Sequence, residues 1–219
     1  MKVVIGLGNP GRDYERTRHN AGFMVIDRLV ARHAMPIGAP ARARFNAAVV
    51  EAPIAGQPCL LAKPTTFMNR SGQAVGEIVR FYKLSLADVL VVVDEVYLPA
   101  GTIRIRPGGG TAGHNGLEDI QRALGADDYP RVRIGVGPKP PFIDQADYVL
   151  GRFGEEEWAK VAPTIDKAAD AAELFIARGL DAAMNKFNAS DEPPRPKKPR
   201  PSVAGTPETP TPQPPTPNP

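Results

Sequence analysis

Residues 2–22 read KVVIGLGNPGRDYERTRHNAG, and the fold turns on what the glycines in this stretch are for. Gly6, Gly8 and Gly11 spell G-x-G-x-x-G behind an apolar, strand-like run, the fingerprint of a dinucleotide-binding turn. That turn requires the glycines to open straight into a helix whose N–H groups face a pyrophosphate, with an acidic residue ending the second strand. Here Pro10 interrupts the motif, and RDYERTRH follows without apolar periodicity. The first convincing helix begins only near Asn20, with Phe23, Ile26 and Val30 on one face. Asp27 then falls inside a helix rather than at a strand end. A nucleotide-dependent oxidoreductase is disfavoured, and the turn needs another purpose.

Working outward, residues 1–188 alternate strand-like and helix-like patterns. Strands are predicted at 2–6, 88–94, 102–106 and 131–137, with a hairpin pairing 45–51 and 58–63 around PIAGQP. Helices are predicted at 20–34, 71–83, 115–124 and 155–179; Gly125 and Gly179 supply stops, and Glu155, Glu156 and Glu157 suit the positive end of the last helix dipole. Such alternation predicts an α/β fold: a single three-layer domain with a mostly parallel central sheet, antiparallel edge strands and helices on both faces. Residues 189–219 hold about half of the 25 prolines and almost no large apolar side chains, so they are expected to stay unfolded as a Pro-rich tail.

The 219 residues carry a formal charge of only +3. The tail contributes four basic and three acidic side chains, so the body is nearly balanced, and any polyanion site must come from local clustering. No stretch resembles a membrane span or a signal peptide, and a cytoplasmic protein is expected. Cys59 lacks a partner in the chain, so it reads as a packed thiol. His19, His33 and His114 are too widely spaced along the chain to suggest metal ligands.

In open α/β sheets sites gather at the carboxyl ends of strands. Four polar segments follow apolar runs in that way: GNPGRDYERTRHNAG, KPTTFMNRSG, VDEVYLPAG and GGGTAGHNG. Taken singly, Asn9 with Pro10 reads as a turn, and Asn69 and Asn115 read as helix caps. Together they would set three amides, an imidazole and a carboxylate on one rim. His19, in a polar loop before a helix, can take a proton near neutral pH. Asp94 closes VLVVVD, where it can accept from an imidazole N–H and fix its tautomer; no Ser or Cys nucleophile stands beside that base, so water is the natural nucleophile. In TIRIRP, Arg104 and Arg106 share one strand face and Ile103 and Ile105 the other. Arg131 and Arg133 repeat the pattern, and Lys139 and Arg152 extend it, giving a basic surface suited to phosphates.

These segments, with YPRVRIGVG, resemble the bacterial-type peptidyl-tRNA hydrolases over nearly all of residues 1–188. The resemblance implies a monomeric enzyme, with no metal or organic cofactor, that hydrolyses the ester between a peptide and the 3′ end of tRNA. It implies His19 as general base, Asp94 as the group orienting it, and Asn9 as a contact distinguishing blocked from free amines. Tyr14, Phe67, Asn69 and Asn115 would touch substrate or the tRNA acceptor end and its CCA, with Met68 and His114 lining the same cleft. Segment 108–113 resembles a gate loop and 144–152 a lid. Tyr97 and Pro138 depart from the family pattern, which usually has Asp and often Arg at these positions. A tRNA-binding module without hydrolytic activity is the alternative.

Overall fold

The computed structural model describes residues 1–34 and 40–188; the expected tail lies outside them. Among the described residues seven strands form one sheet in the order β2-β3-β4-β1-β5-β7-β6. They are β1 (Lys2–Gly6), β2 (Arg42–Arg44), β3 (Ala47–Ile54), β4 (Gln57–Pro64), β5 (Val89–Pro99), β6 (Ile103–Arg106) and β7 (Arg131–Gly137). The four central strands run parallel, while β2, β3 and β6 add antiparallel edges. The expected three-layer architecture is therefore present, with parallel pairing confined to the middle.

Alternation of side chains assigns the layers. Val4, Leu61, Leu90, Val92, Ile103 and Ile134 pack on one side against α1 (Ala21–His33), α5 (Glu155–Arg178) and α6 (Leu180–Asn188). Val3, Ile5, Leu60, Val91 and Val93 pack on the other against α2 (Ser71–Tyr82) and α3 (Asn115–Leu124). The short α4 (Gln145–Leu150) packs its Tyr148 and Val149 onto Val96 and Val136 in a separate small cluster.

The opening glycines serve close packing of α1 on β1. A Cβ on Gly6 would lie 2.2 Å from the Gly22 carbonyl oxygen, and one on Gly22 would lie 2.4 Å from both Leu7 N and the Val92 carbonyl oxygen. Neither contact has room for a methyl group. Gly22→Ala should therefore force α1 off the sheet and destabilise the fold by about 1–3 kcal/mol or more, read as a lowered denaturant midpoint; an unchanged midpoint would remove this reason for the glycines.

Gly125 takes φ 66° and ends α3 as its position implies. After Gly179 the chain turns and resumes as α6, which the sequence reading missed by treating that glycine as the final stop. Asn188, at the end of α6, completes the edge of β6: its Oδ1 accepts from Ile105 N and its Nδ2 donates to the Ile105 carbonyl, each at 2.9 Å. One amide thus satisfies backbone groups that an edge strand otherwise leaves open. Strand β5 also runs further than expected, to Pro99, with an irregular register against β7 between Glu95 and Pro99. Its neighbour β1 last pairs at Gly6 with Val92, so Asp94 stands beyond the end of β1 although it lies within β5.

Candidate active site

A cleft of about 410 Å³ opens at the carboxyl ends of the central strands. Asn9 enters it from the turn after β1, and His19 from the 3₁₀ turn Arg18–Asn20 that leads into α1. Phe67, Met68 and Asn69 come from the segment after β4; Asp94, Glu95 and Val96 from β5; His114 and Asn115 from the start of α3; and Ala146, Val149 and Leu150 from α4.

His19 and Asp94, 75 residues apart in sequence, meet side by side. The imidazole Nδ1 lies 3.0 Å from Asp94 Oδ1 and 3.2 Å from Oδ2, and both residues are buried. A carboxylate can only accept here, so Nδ1 carries the proton and Nε2 keeps its lone pair. No described residue bonds Nε2. Burial pulls the His19 pKa down, but the Asp94 charge and hydrogen bond outweigh it, and the net direction is upward from the ordinary 6.5. Burial likewise pushes the Asp94 carboxyl up, and the imidazoles of His19 and His114 reverse this, holding it well below the usual carboxylate range. The pair is therefore a carboxylate beside a base of strengthened proton affinity.

His114 supplies the second donor. Its Nδ1 accepts from the N–H groups of Gly116 at 3.1 Å and Leu117 at 3.3 Å, capping α3. An Nδ1 that accepts cannot carry a proton, so Nε2–H donates to Asp94 Oδ1 at 3.1 Å and the ring is a neutral, fixed tautomer. The helix cap is thus His114, and Asn115 is left exposed in the cleft as the first residue of α3. Asn69 likewise makes no cap: it lies within the 3₁₀ turn Met68–Arg70, exposed toward the cleft. The capping roles these two asparagines could have had are not the ones they fill.

Asn9 is locked rather than merely turning the chain. Its Oδ1 accepts from Met68 N at 2.8 Å, which leaves Nδ2 as the free donor of that amide among the described residues. Its backbone N–H donates to Asn20 Oδ1 at 2.8 Å, and its carbonyl accepts from Asn20 Nδ2 at 3.0 Å. Asn20, directly after His19, therefore ties the Asn9 backbone and the His19 turn into one unit. The sequence reading assigned Asn20 no role, although it stands in the same polar turn.

Three ligand atoms of His19, Asp94 and His114 lie within 4.8 Å of one another. The histidine spacing that argued against metal along the chain does not hold in space, where two histidines flank one carboxylate. The same atoms are satisfied as a hydrogen-bonded relay, with both imidazole protons directed at oxygen.

The basic ladder is only partly a surface. Ile103 and Ile105 are buried as expected, and Arg104 and Arg106 pair across strands with Arg133 and Arg131. Arg131 corrects the expectation of a second exposed row: it is fully buried over the Tyr129 ring, donating to the carbonyls of Gly109, Gly110 and Asp127. Arg133 is half-buried, engaged with the buried Glu95 carboxylate and the Gly110 carbonyl. The two cations face like charges across the ladder, and carbonyl and carboxylate partners from the glycine-rich loop offset that. Arg106 and Arg152 are exposed, Arg104 is half-buried, and Lys139 folds onto the carbonyls of Pro140 and Ile143. Tyr14 lies in the neighbouring 3₁₀ turn Arg12–Tyr14, half-buried and outside the residues lining the cleft.

Comparison with known proteins places these observations among relatives. The family model described as peptidyl-tRNA hydrolase matches residues 3–195. The chain is 46% identical over 188 residues to the peptidyl-tRNA hydrolase of Syntrophomonas wolfei, covering 86% of this chain and all of the relative. It is 46% identical over 199 residues to that of a Roseiflexus species, covering 90% and 89%. The crystal structure of peptidyl-tRNA hydrolase from Acinetobacter baumannii superposes with a TM-score of 0.80 at 34% identity, covering 86% of this chain and 95% of that one.

Proposed function

Because the chain belongs to the peptidyl-tRNA hydrolase family, and is thus an enzyme that hydrolyses peptidyl-tRNA, we propose that His19 is its general base and Asp94 the group that orients and strengthens it. The observation that carries this reading is the Nδ1 contact to Asp94 at 3.0 Å, which directs the lone pair of Nε2 away from the carboxylate in a residue lining the cleft. Nε2 takes a proton from water as the water oxygen attacks the ester carbonyl. The tetrahedral intermediate collapses by expelling the ribose 3′ oxygen, to which the imidazolium returns the proton. The peptide leaves as an acid and the tRNA as a free alcohol. His114 keeps Asp94 in place without competing for a proton, because its own tautomer is fixed by α3.

Asn9 Nδ2, with the exposed amides of Asn69 and Asn115, offers neutral donors to the developing oxyanion and the adjoining peptide group. Neutral donors suit an ester–amide substrate, and a free α-ammonium cannot supply the second peptide group they grip. Phe67 and Met68 would flank the terminal nucleotide or the aminoacyl group, and the exposed Arg106 with the half-buried Arg104 would meet phosphates of the acceptor end. A monomer acting in the cytoplasm, where its substrate is made, fits this reading.

An assay on N-acetyl-aminoacyl-tRNA and its unblocked counterpart tests the proposal: the blocked ester should be cleaved and the free-amine ester largely spared. A tRNA-binding module would leave both intact. Asn9→Ala should narrow the preference for the blocked substrate by roughly 5- to 150-fold, the equivalent of about 1–3 kcal/mol for an unpaired buried polar group. An unchanged ratio of kcat/KM values would take Asn9 out of recognition.

A further inference from the structure

Next to the base, Arg18 is 8% exposed and lines no part of the cleft, yet its whole guanidinium is engaged. Its Nη2 and Nε reach the two oxygens of Glu157, in the first turn of α5, at 2.5 and 3.3 Å, and its Nη1 donates to the Tyr148 carbonyl of α4 at 3.1 Å. The guanidinium lies 4.3 Å from the centroid of the Tyr148 ring and 5.5 Å from that of Phe153. Backbone pairing follows the same line. Arg18 N donates to the Gly151 carbonyl, Phe153 N to the Arg16 carbonyl, and Thr17 bridges Arg152 in antiparallel fashion. The segment joining α4 to α5 is therefore stapled to the turn that carries His19.

We propose that Arg18 is a positioning residue for ester hydrolysis, whose guanidinium, gripped by Glu157 and the Tyr148 carbonyl, sets the α4 wall of the cleft at a fixed distance from His19. Two observations require such a device. A helix of six residues is far below the length that sustains itself. Among the described residues the apolar cluster that α4 joins has four buried members, two of them, Tyr148 and Val149, its own, so packing alone holds it weakly. A forked ion pair with stacked rings supplies the direction that this cluster lacks. The wall in question, Ala146, Val149 and Leu150, faces the same space as His19 and Asn9. Its displacement would loosen the substrate without touching the base.

The inference rests on the cleft being the site of ester hydrolysis, and its test separates the two. In the full chain, Arg18→Lys keeps the charge but loses the fork and the ring stacking, while Glu157→Gln keeps the cap it makes on Gly154 N and loses the charge. Both should raise KM for N-acetyl-aminoacyl-tRNA about five- to twentyfold. The acid limb of the kcat profile should keep its midpoint, because His19 and Asp94 are untouched. Hydrogen exchange should speed up in residues 145–153 and stay unchanged in the central strands. A KM within about twofold of the parent in both variants, or an exchange gain spread over the whole sheet, overturns the proposal. If Arg18→Lys fails to fold, Glu157→Gln decides, since its side chain is about a third exposed. Failure of the base assignment would look different: His19→Ala would remain active while exchange at 145–153 still answered to Arg18.

Discussion

Replacing His19 by alanine is expected to lower turnover of N-acetyl-aminoacyl-tRNA by about 10² to 10⁴ while leaving the affinity for deacylated tRNA within error of the parent. The first number is the range that a positioned proton acceptor contributes. The second follows because the imidazole makes its described polar contacts to Asp94 alone. Asp94 keeps its bond from His114, so the substitution does not strand a buried carboxylate. Rapid-quench turnover and filter binding on the same preparation check both halves. A variant with even a tenth of the parent rate would remove His19 from the chemistry. As the proposed base, His19 must be deprotonated to act, and, against the pull of burial, Asp94 shifts it upward from the ordinary 6.5, so the rate should climb through an acid limb displaced to higher pH than a free imidazole would give.

Asp94→Asn should cost about as much, on the order of 10⁴, by a different route. With its oxygen in the place of Oδ1 the amide can still accept from both rings, but its nitrogen then replaces Oδ2, 3.2 Å from His19 Nδ1, and sets a donor against a donor. The His19 ring then gains by moving its proton to Nε2, which removes the lone pair from the reacting face. The pH profile separates this from a simple loss of packing. Burial pulls the His19 pKa down and Asp94 is what reverses it, so without the charge the acid limb of the residual rate should move to lower pH. A limb that stays in place, or moves up, would show that Asp94 does not set the strength of the base. Stability carries the same signature with the opposite residue: the depressed Asp94 carboxyl stabilises the native state above its unfolded value of 3.8, and that contribution fades as pH falls toward the folded value.

Much of this architecture was legible from periodicity, because β1, β7 and α3 are bounded by residues whose backbone preferences are strong, such as Gly125 at its left-handed position. The two strands on the sheet's arginine face were harder. Arg131 reads as a surface charge since nothing local announces that Gly109, Gly110 and Asp127 will turn their carbonyls onto it. Resemblance put His114 in the cleft, but an imidazole is an unusual helix cap, and the two bonds on its Nδ1 depend on tertiary placement. Asn20 and Arg18 were passed over for the same reason. Their partners are Asn9, Tyr148 and Glu157, and only Asn9 lies nearby in the chain. Helix α6 and the short β2 were missed because a glycine stop hid the first, and three exposed residues carry no pattern in the second.

The cap on α3 reaches as far as the paired carboxylate. Two peptide N–H groups at the start of the helix occupy one nitrogen of the His114 ring, so the ring cannot turn and its other N–H stays aimed at Asp94. The helix thereby fixes the carboxylate through a rigid aromatic spacer, and His19 at one remove. A disturbance that frays the opening turn of α3 would free that ring to rotate and leave Asp94 held by His19 alone.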